Sequence, residues 1–304
     1  MTRKISLILT LTLITFFSCI ETLCQTKKVT SYQKPTMAIL PLVNLKSEQP
    51  LPELTKRLRS TLQKLQSFNI MDIGTQNKKL IEYNHDLSKP CNSKECAFEL
   101  GGLLETNYIL FGSASRFNDM GLVTIKILDL KESKIIWSRA LTSHHKRTAI
   151  ENTFVTLYKE LIQTDITTIR NNSEKTLAVL DFSENSLQSK ILFERILTHA
   201  YKFGYADVMS PEEVKEMITA LDIKKETVLN SIETILTIGE NLGVSAVLYT
   251  NLSTTGINLK HQIALFDVTE KSVILSMPPL PKASFTDVLF MERHFFTSFS
   301  NIVP

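Results

Sequence analysis

The chain is poor in the residues that several common kinds of site require. Its 304 residues include nine glycines, four cysteines and one tryptophan. It contains no P-loop, no dinucleotide-binding glycine pattern, no His-Glu-x-x-His and no Gly-x-Ser-x-Gly motif. These motifs carry nucleotide, zinc-protease and serine-hydrolase chemistry. Their absence favours a protein with no catalytic residues, no cofactor and no metal, and therefore not an enzyme.

Charge of one sign is also scarce. The formal net charge is +3 and the lysines are scattered along the chain, which argues against a nucleic-acid partner or an anionic membrane surface. With 43% hydrophobic and 21% charged residues, the chain is apolar enough to bury a core. Beyond the first residues no run of about 18 apolar residues occurs, so we expect no membrane-spanning helix after the leader.

The first 24 residues are typical of a signal peptide. Arg3 and Lys4 form a positive start, and Ile5–Phe17 is an apolar run too short for a comfortable membrane span. The sequence allows two interpretations of where this segment is cleaved. Phe16-Phe17-Ser18-Cys19 is similar to a lipobox, which would make Cys19 the lipidated residue, although Phe16 departs from the usual Leu. Ordinary cleavage after Cys24 is the alternative, and an uncleaved anchor is a third. Residues 25–35 read as a polar tether.

Two cysteines remain outside the leader. Cys91 and Cys96 lie in the short stretch CNSKEC. Export places them in an oxidising compartment, where a disulfide is the usual state of two nearby cysteines. A zinc site would need further ligands, and no histidine is close in sequence. The sequence therefore predicts a Cys91–Cys96 disulfide that holds the loop leading into a helix.

The same plan occurs twice along the chain. GGLLETNYILFGSASRF and ILDLKESKIIWS are followed about 138 residues later by GENLGVSAVLYTNLSTT and LFDVTEKSVILS. Gly101 then matches Gly239 and Asp129 matches Asp267. We expect two similar modules, at 36–168 and 176–304, joined by a linker at 169–175. Each half reads as β-α-β-α-α-β-β-β-α, which predicts two tandem α/β sandwiches with an anticodon-binding-like element order and a mixed sheet flanked by helices.

Four residues in these modules invite a functional interpretation. Asp129 and Asp267 end strands before hairpin turns, where aspartate caps turn N–H groups; acid–base catalysis would need a second group, and none is identifiable. His261 occupies the place of Val123 on an inward strand face, which predicts a buried neutral histidine, with a ligand contact as the alternative. Trp137 is predicted to pack in a core, with a place in a protein interface as the alternative.

A resemblance to a known family rests on a longer pattern. CNSKEC-A-x-E-L-G-x-L-L, then Y-I-L-F-G-S-A, LDL and I-I-W, together with the strand–helix–strand opening, resemble a family of bacterial envelope modules. That family includes the amino-terminal domain of the translocation protein TolB, the curli secretion lipoprotein CsgG and the lipoproteins that activate penicillin-binding proteins. The resemblance covers Thr36 to Leu141 well. It is weaker in the second half, which has no cysteine pair and has Thr250 in place of Gly112.

The resemblance implies a binding, assembly or secretion role in the bacterial envelope. We expect an exported protein in the periplasm, or on the periplasmic face of the outer membrane, that acts as an adaptor or regulator for an envelope protein partner. Membrane contact would come only from a lipid at Cys19. The alternatives are a self-assembling, CsgG-like secretion component, which implies a homo-oligomer, and a small-ligand-binding protein that uses His261. The hairpins carry no long membrane-spanning insertions, which disfavours a pore.

Overall fold

Two mixed β-sheets, each flanked by helices, make up the computed structural model of the chain. The structure describes residues 34–64, 68–117, 120–144, 154–161, 176–202, 207–209, 211–223, 228, 231–255 and 258–300. Residues 35–304 belong to one compact unit. In the described part of the chain, no helix combines the length and the apolar character needed to cross a membrane.

The first sheet and its helices come from the first half of the chain. In order, the described elements are β1 (Thr36–Ile39), β2 (Val43–Asn44), β3 (Gln49–Pro50), α1 (Pro52–Leu62), β4 (Asn69–Ile70), α2 (Ile73–Glu82), α3 (Lys94–Leu104), β5 (Tyr108–Phe117), β6 (Met120–Asp129), β7 (Lys134–His144) and α4 (154–161). β1 pairs in parallel with both β4 and β5. β5, β6 and β7 then form an antiparallel meander.

The second half repeats this order with a longer first helix, and among its described elements nothing corresponds to β2 and β3. Its described elements are β8 (Thr176–Asp181), α5 (Leu187–Lys202), β9 (Asp207–Val208), α6 (Pro211–Ala220), α7 (Ile232–Leu242), β10 (Ala246–Thr255), β11 (Asn258–Asp267), β12 (Ser272–Ala283) and α8 (Phe285–Ser300). The strand order across the sheet is β12-β11-β10-β8-β9. The predicted mixed α/β class, with helices flanking a mixed sheet in each half, is confirmed.

Local features 138 residues apart have the same role in the two halves. Ser93 caps α3 by accepting from the Cys96 backbone N–H, and Ser231 caps α7 by accepting from that of Thr234. The helices end in the left-handed region at Glu105 and Gly243, with φ of 54° and 66°. Such a helix end satisfies the last carbonyls, and it favours glycine because the conformation strains a Cβ.

The glycines of the repeated motif mark a close approach of helix and sheet. A Cβ on Gly101 would lie 2.5 Å from a methyl carbon of Leu130, and a Cβ on Gly239 would lie 2.5 Å from a methyl carbon of Val268. Contacts that short do not occur between non-bonded carbon atoms, so a side chain at either glycine would displace Leu130 or Val268 or move the helix away from its sheet.

The hairpin aspartates act as turn caps, as the sequence predicts. The Asp129 carboxylate accepts from the backbone N–H groups of Lys131 and Glu132, at 2.8 and 3.2 Å. The Asp267 carboxylate accepts from that of Glu270 at 2.8 Å. Both carboxylates thus accept hydrogen bonds from backbone N–H groups of their turns. Neither carboxylate lines a described cavity.

Several strands are longer than their sequence suggests. The sequence pattern predicts strands at Tyr108–Ser113 and Ser272–Met277, but β5 continues to Phe117 and β12 to Ala283. Pro278 and Pro279 argue against a strand because proline donates no ladder hydrogen bond. β12 tolerates them because it pairs only with β11 and so lies at the edge of its sheet.

Helix α5 joins the two halves. It packs on β8 and β9 of its own sheet and also lies against β6 and β7 of the first half. The hydrophobic cluster around α5 and α8 includes Met120 and Leu122 of β6, so a single core draws on both halves.

Polar contacts fasten α5 to the first half at helical spacing. The Lys126 ammonium lies 2.9 Å from the Glu194 carboxylate, and both side chains are largely buried. Glu194 also accepts from the Asn92 amide at 2.9 Å. The Ser138 hydroxyl donates to the Thr198 carbonyl at 2.6 Å. These partners lie on one face of α5, which makes the contact directional as well as apolar.

Candidate functional site

A large cavity lies in the first half, where the chain leaves β1. It has a volume of about 560 Å³ and is enclosed by α1, α2 and the segment that leads from α2 to α3. Leu40 and Pro41, directly after β1, form one wall. Cavities outside the carboxyl ends of parallel strands are common ligand sites in α/β proteins. This volume falls within the ~300–1,000 Å³ usual for small-molecule sites.

The wall on the α1 side is held by a buried threonine. Pro52 begins the helix, where its fixed φ suits the first turn and its missing N–H costs nothing. The Thr55 hydroxyl accepts from the Leu42 backbone N–H at 2.8 Å and donates to the Leu51 carbonyl at 2.7 Å. These bonds bind the start of α1 to the segment that follows β1, so the cavity wall is fixed by secondary structure.

A buried arginine lies at the floor of the cavity. Arg59 is 6% exposed. Its guanidinium donates to the Met71 carbonyl at 2.5 Å, the Ile39 carbonyl at 2.7 Å and the Gln76 amide oxygen at 3.0 Å. Burial lowers the pKa of Arg59 and the nearby Asp72 carboxylate partly opposes this. No described carboxylate lies within ion-pair distance of the guanidinium.

The wall on the α2–α3 side is held by a helix cap and the disulfide. The Asp72 side chain caps α2 by accepting from the Thr75 backbone N–H. Cys91 and Cys96 are joined by a disulfide with their Cα atoms 5.7 Å apart, which confirms the predicted bridge. Cys91 is 4% exposed and lines the cavity, while Cys96 belongs to α3. The disulfide therefore fixes the loop that closes the cavity to the helix that follows.

The cavity combines an apolar interior with a charged mouth. Its deep apolar residues are Leu40, Leu80, Cys91 and Leu100. The exposed charged residues at the mouth are Lys56, Lys89 and Glu53, with His85 half-buried beside them. Counting Arg59 at the floor, cationic side chains outnumber the single carboxylate that lines the cavity.

His261 lies away from this cavity, inside the second half. Its side chain has no exposed surface. The ring Nε2 is 3.3 Å from the Thr250 hydroxyl, and Nδ1 has no hydrogen-bond partner in the described part of the chain. Burial lowers its pKa to about 4, although the Glu292 carboxylate acts in the opposite direction. His261 lines none of the described cavities, so the geometry favours the buried neutral histidine over the ligand contact.

Trp137 is a core residue of the first half. It is 5% exposed and belongs to the cluster formed by β1, α1, β6 and α4. The Arg139 guanidinium lies 5.4 Å from the centre of its ring. A side chain buried in this way offers no surface to a partner, so the core-packing alternative describes Trp137 better than the interface alternative.

Sequence reasoning missed the residues that build the cavity. Arg59 occupies the same helical face as Thr55, Leu58 and Leu62, the buried side of α1. The sequence does contain one indication of this site, a charged residue on the apolar face of a helix, because charged side chains are rarely buried unless they are paired. The signal peptide, Cys19, the 169–175 linker and most of the 25–35 tether lie outside the described residues.

Comparison with known proteins gives structural neighbours but no family. No protein-family model matches the chain, and no curated protein matches it either. The solved structures similar to it include the LpoB C-terminal domain from Salmonella enterica, at 16% identity and a TM-score of 0.33, covering 41% of this chain and 93% of that one. TolB from Acinetobacter baumannii shares 15% identity over 45% of this chain and 29% of that one, with a TM-score of 0.32.

A third neighbour is a lipoprotein. GNA1162 from Neisseria meningitidis is 8% identical over 43% of this chain and 98% of that one, with a TM-score of 0.32. Each of these structures covers less than half of the present chain.

Proposed function

We propose that the chain is an exported, non-enzymatic protein of the bacterial cell envelope that binds a protein partner as an adaptor or regulator. Its leader and its disulfide support export to an oxidising compartment. The contact of α5 with β6 and β7 supports a scaffold role. It holds the two halves in one arrangement, so that their surfaces keep a fixed position relative to a partner.

The observation that carries the proposal is a concentration of exposed apolar side chains in the α2–α3 region. Of the nine large hydrophobic residues exposed in the described chain, five lie between residues 73 and 98: Ile73, Ile81, Tyr83, Leu87 and Phe98. Ile81 is 60% exposed and Tyr83 is 54% exposed. Single exposed apolar residues are ordinary, but a concentration of them marks interaction surfaces. We assign the partner surface to this region.

Photocrosslinking in the native envelope tests the proposal. A photoreactive amino acid is placed at Ile81 or at Tyr83 of the tagged full chain, and the adducts are identified after irradiation. We expect one envelope protein to be recovered in a fixed ratio from both positions. Ile232 and Phe290, which are 52% and 73% exposed in the second half, are the control positions. We expect no such adduct there.

Charge substitution completes the test. Ile81→Glu combined with Tyr83→Glu should abolish recovery of the partner, whereas Ile232→Glu should leave it unchanged. Equal recovery from all positions would refute the assigned surface. Recovery of this chain alone, as a large homo-oligomer, would replace the adaptor role with self-assembly.

The proposed location of the protein is the periplasm or the periplasmic face of the outer membrane. Metabolic labelling with an alkyne-bearing fatty acid distinguishes the two cleavage sites in the leader. Label that disappears in a Cys19→Ala variant would show a lipoprotein held to the membrane. A mature chain that begins at Gln25 without label would show a free periplasmic protein.

A further inference from the structure

The cavity beside the disulfide has a lining suited to one chemical class of ligand. Its deep walls are leucine side chains and one cysteine of the disulfide, so they favour an apolar body. Pro41, Pro50 and Pro52 continue this surface toward the mouth. Apolar groups leave water favourably into such a space. The interior therefore suits a hydrocarbon chain better than a sugar or a nucleotide.

Arg59 adds a positive charge to this apolar floor, and no described carboxylate pairs directly with it, although that of Asp72 lies near enough to act on its pKa. Its three described hydrogen bonds go to two carbonyl oxygens and one amide oxygen, none of which carries a charge. A guanidinium has five N–H donors. The described contacts use three of them, and the Nε–H makes no hydrogen bond to a described residue. A buried cation that makes no direct ion pair is costly, so an anion bound beside the guanidinium would be stabilised.

The mouth of the cavity has the same electrostatic character. Lys56 and Lys89 are exposed at its edge, and Glu53 is the only carboxylate among the lining residues. An anion entering the cavity would meet two ammonium groups first and the Arg59 guanidinium deeper in. Electrostatic attraction at a cleft raises the local concentration of ligands of opposite charge.

We propose that this cavity binds a small anionic amphiphile, with one carboxylate or phosphate group and an apolar body of the size of a single medium-length acyl chain. The site is separate from His261. Ile73 and Leu87 line the cavity and also belong to the proposed partner surface, but the inference does not rest on that surface. A fatty acid and a phosphate monoester of a fatty alcohol share this chemistry.

Calorimetric titration of the delipidated full chain tests the proposal. Dodecanoate and dodecyl phosphate are the anionic ligands, dodecanol is the neutral one and dodecyltrimethylammonium is the cationic one. We expect one molecule of an anionic ligand to bind per chain, at least tenfold more tightly than dodecanol, because charge-assisted hydrogen bonds are about twice as strong as neutral ones. The stronger of the two anionic ligands identifies the headgroup.

Three variants locate the site. Asn77→Trp fills the cavity from the half-buried face of α2 and should abolish binding. Arg59→Met removes the floor cation and should weaken dodecanoate at least tenfold. The double variant Lys56→Gln with Lys89→Gln changes only exposed residues, so it remains informative if Arg59→Met fails to fold. We expect it to weaken dodecanoate roughly threefold and dodecanol not at all. Lys131→Gln with Lys260→Gln, two exposed lysines elsewhere, is the matched control.

Three results would overturn the proposal. They are the absence of saturable dodecanoate binding, binding that Asn77→Trp leaves unchanged, and equal affinity for dodecanol or dodecyltrimethylammonium. Failure here and failure of the partner surface are distinguishable, because Ile81→Glu with Tyr83→Glu leaves the lining residues intact.

Discussion

At the scale of single residues, the two halves differ most clearly where Thr250 and His261 replace Gly112 and Val123. Thr250 and His261 approach each other across neighbouring strands, with the Thr250 hydroxyl 3.3 Å from Nε2. Both side chains are fully buried. The second half thus places a titratable group in a part of the sheet that the first half fills with a hydrogen atom and a valine.

His261 should make stability depend on pH. Its folded pKa of about 4 lies below the ~6.5 of an unfolded histidine, so the unfolded chain takes up the proton first. The contribution to stability is therefore complete above about pH 6.5 and decreases as pH falls toward 4. We expect a loss of roughly 2–3 kcal/mol over this window, measured by urea denaturation at each pH.

The control for this prediction is His261→Val, which copies the residue at the equivalent position of the first half. It removes the titrating group and changes the side-chain volume little. The difference in unfolding free energy between the two proteins should shrink or reverse between pH 7 and pH 4. A difference that stays constant with pH would show that His261 is not the group responsible.

Gly112 should tolerate no side chain. A Cβ there would lie 2.0 Å from the Thr124 carbonyl oxygen, which is backbone and cannot rotate away. We expect Gly112→Ala to lower the free energy of unfolding by roughly 3 kcal/mol, as determined by chemical denaturation. Gly102→Ala is the matched control, because that position is in α3 with no atom within 4 Å of its Cβ. It should raise stability by about 0.5–1 kcal/mol. Similar effects at both glycines would contradict the close approach.

At the scale of elements, α5 differs from its counterpart α1. α1 packs one buried face on its sheet and leaves the other to solvent. The buried residues of α5 are spread around its circumference and include Ser189, Arg195 and Thr198. Arg195 lies between the halves, donating to Thr142 of β7 at 2.6 Å and to Glu292 of α8 at 2.8 Å. A helix buried on both sides needs partners for its polar groups, and these bonds supply them.

The Lys126–Glu194 pair should be much more sensitive than an exposed pair. Lys126→Met leaves the Glu194 carboxylate partly buried with the Asn92 amide as its one remaining partner among the described residues, so we expect a loss of roughly 3–5 kcal/mol in unfolding free energy. Adding Glu194→Met should recover part of that loss, which a double-mutant cycle measures. Glu240→Gln, in the exposed pair with Lys271, should not shift the denaturation midpoint measurably. Additive effects of the two methionine substitutions would mean that the buried pair is not coupled.

At the scale of the whole molecule, the shared core predicts one unfolding event. Met120 and Leu122 of the first half belong to the same cluster as the apolar residues of α5 and α8. Neither half can then unfold without exposing apolar surface of the other. We expect a single transition in scanning calorimetry, with equal calorimetric and van't Hoff enthalpies. Two resolved transitions would show that the halves unfold independently.

Local patterns allowed much of this architecture to be predicted. The helix that contains Gly101, the hairpin turns at Asp129 and Asp267, and the disulfide all depend on residues near one another in sequence. The cavity does not, because its lining comes from β1, α1, α2 and a loop that meet only after folding. The role of Arg59 was equally out of reach, since the carbonyls of Ile39 and Met71 that bind it become neighbours through parallel strand pairing.

The contact between the halves uses a sheet face of the first half whose equivalent in the second half has a different character. The face of β6 and β7 that receives α5 includes Leu122 and Ser138, which are 3% and 1% exposed. The matching positions in β11 and β12 are Lys260 and Ser276, and both are exposed. The first sheet thus has an apolar docking face, whereas the matching positions of the second sheet are polar and exposed, as on the outer surface of a capping unit in a repeat array. A third module packed in the same head-to-tail way would have to cover Lys260 and Ser276, so we expect this contact to be weaker than the one that α5 makes.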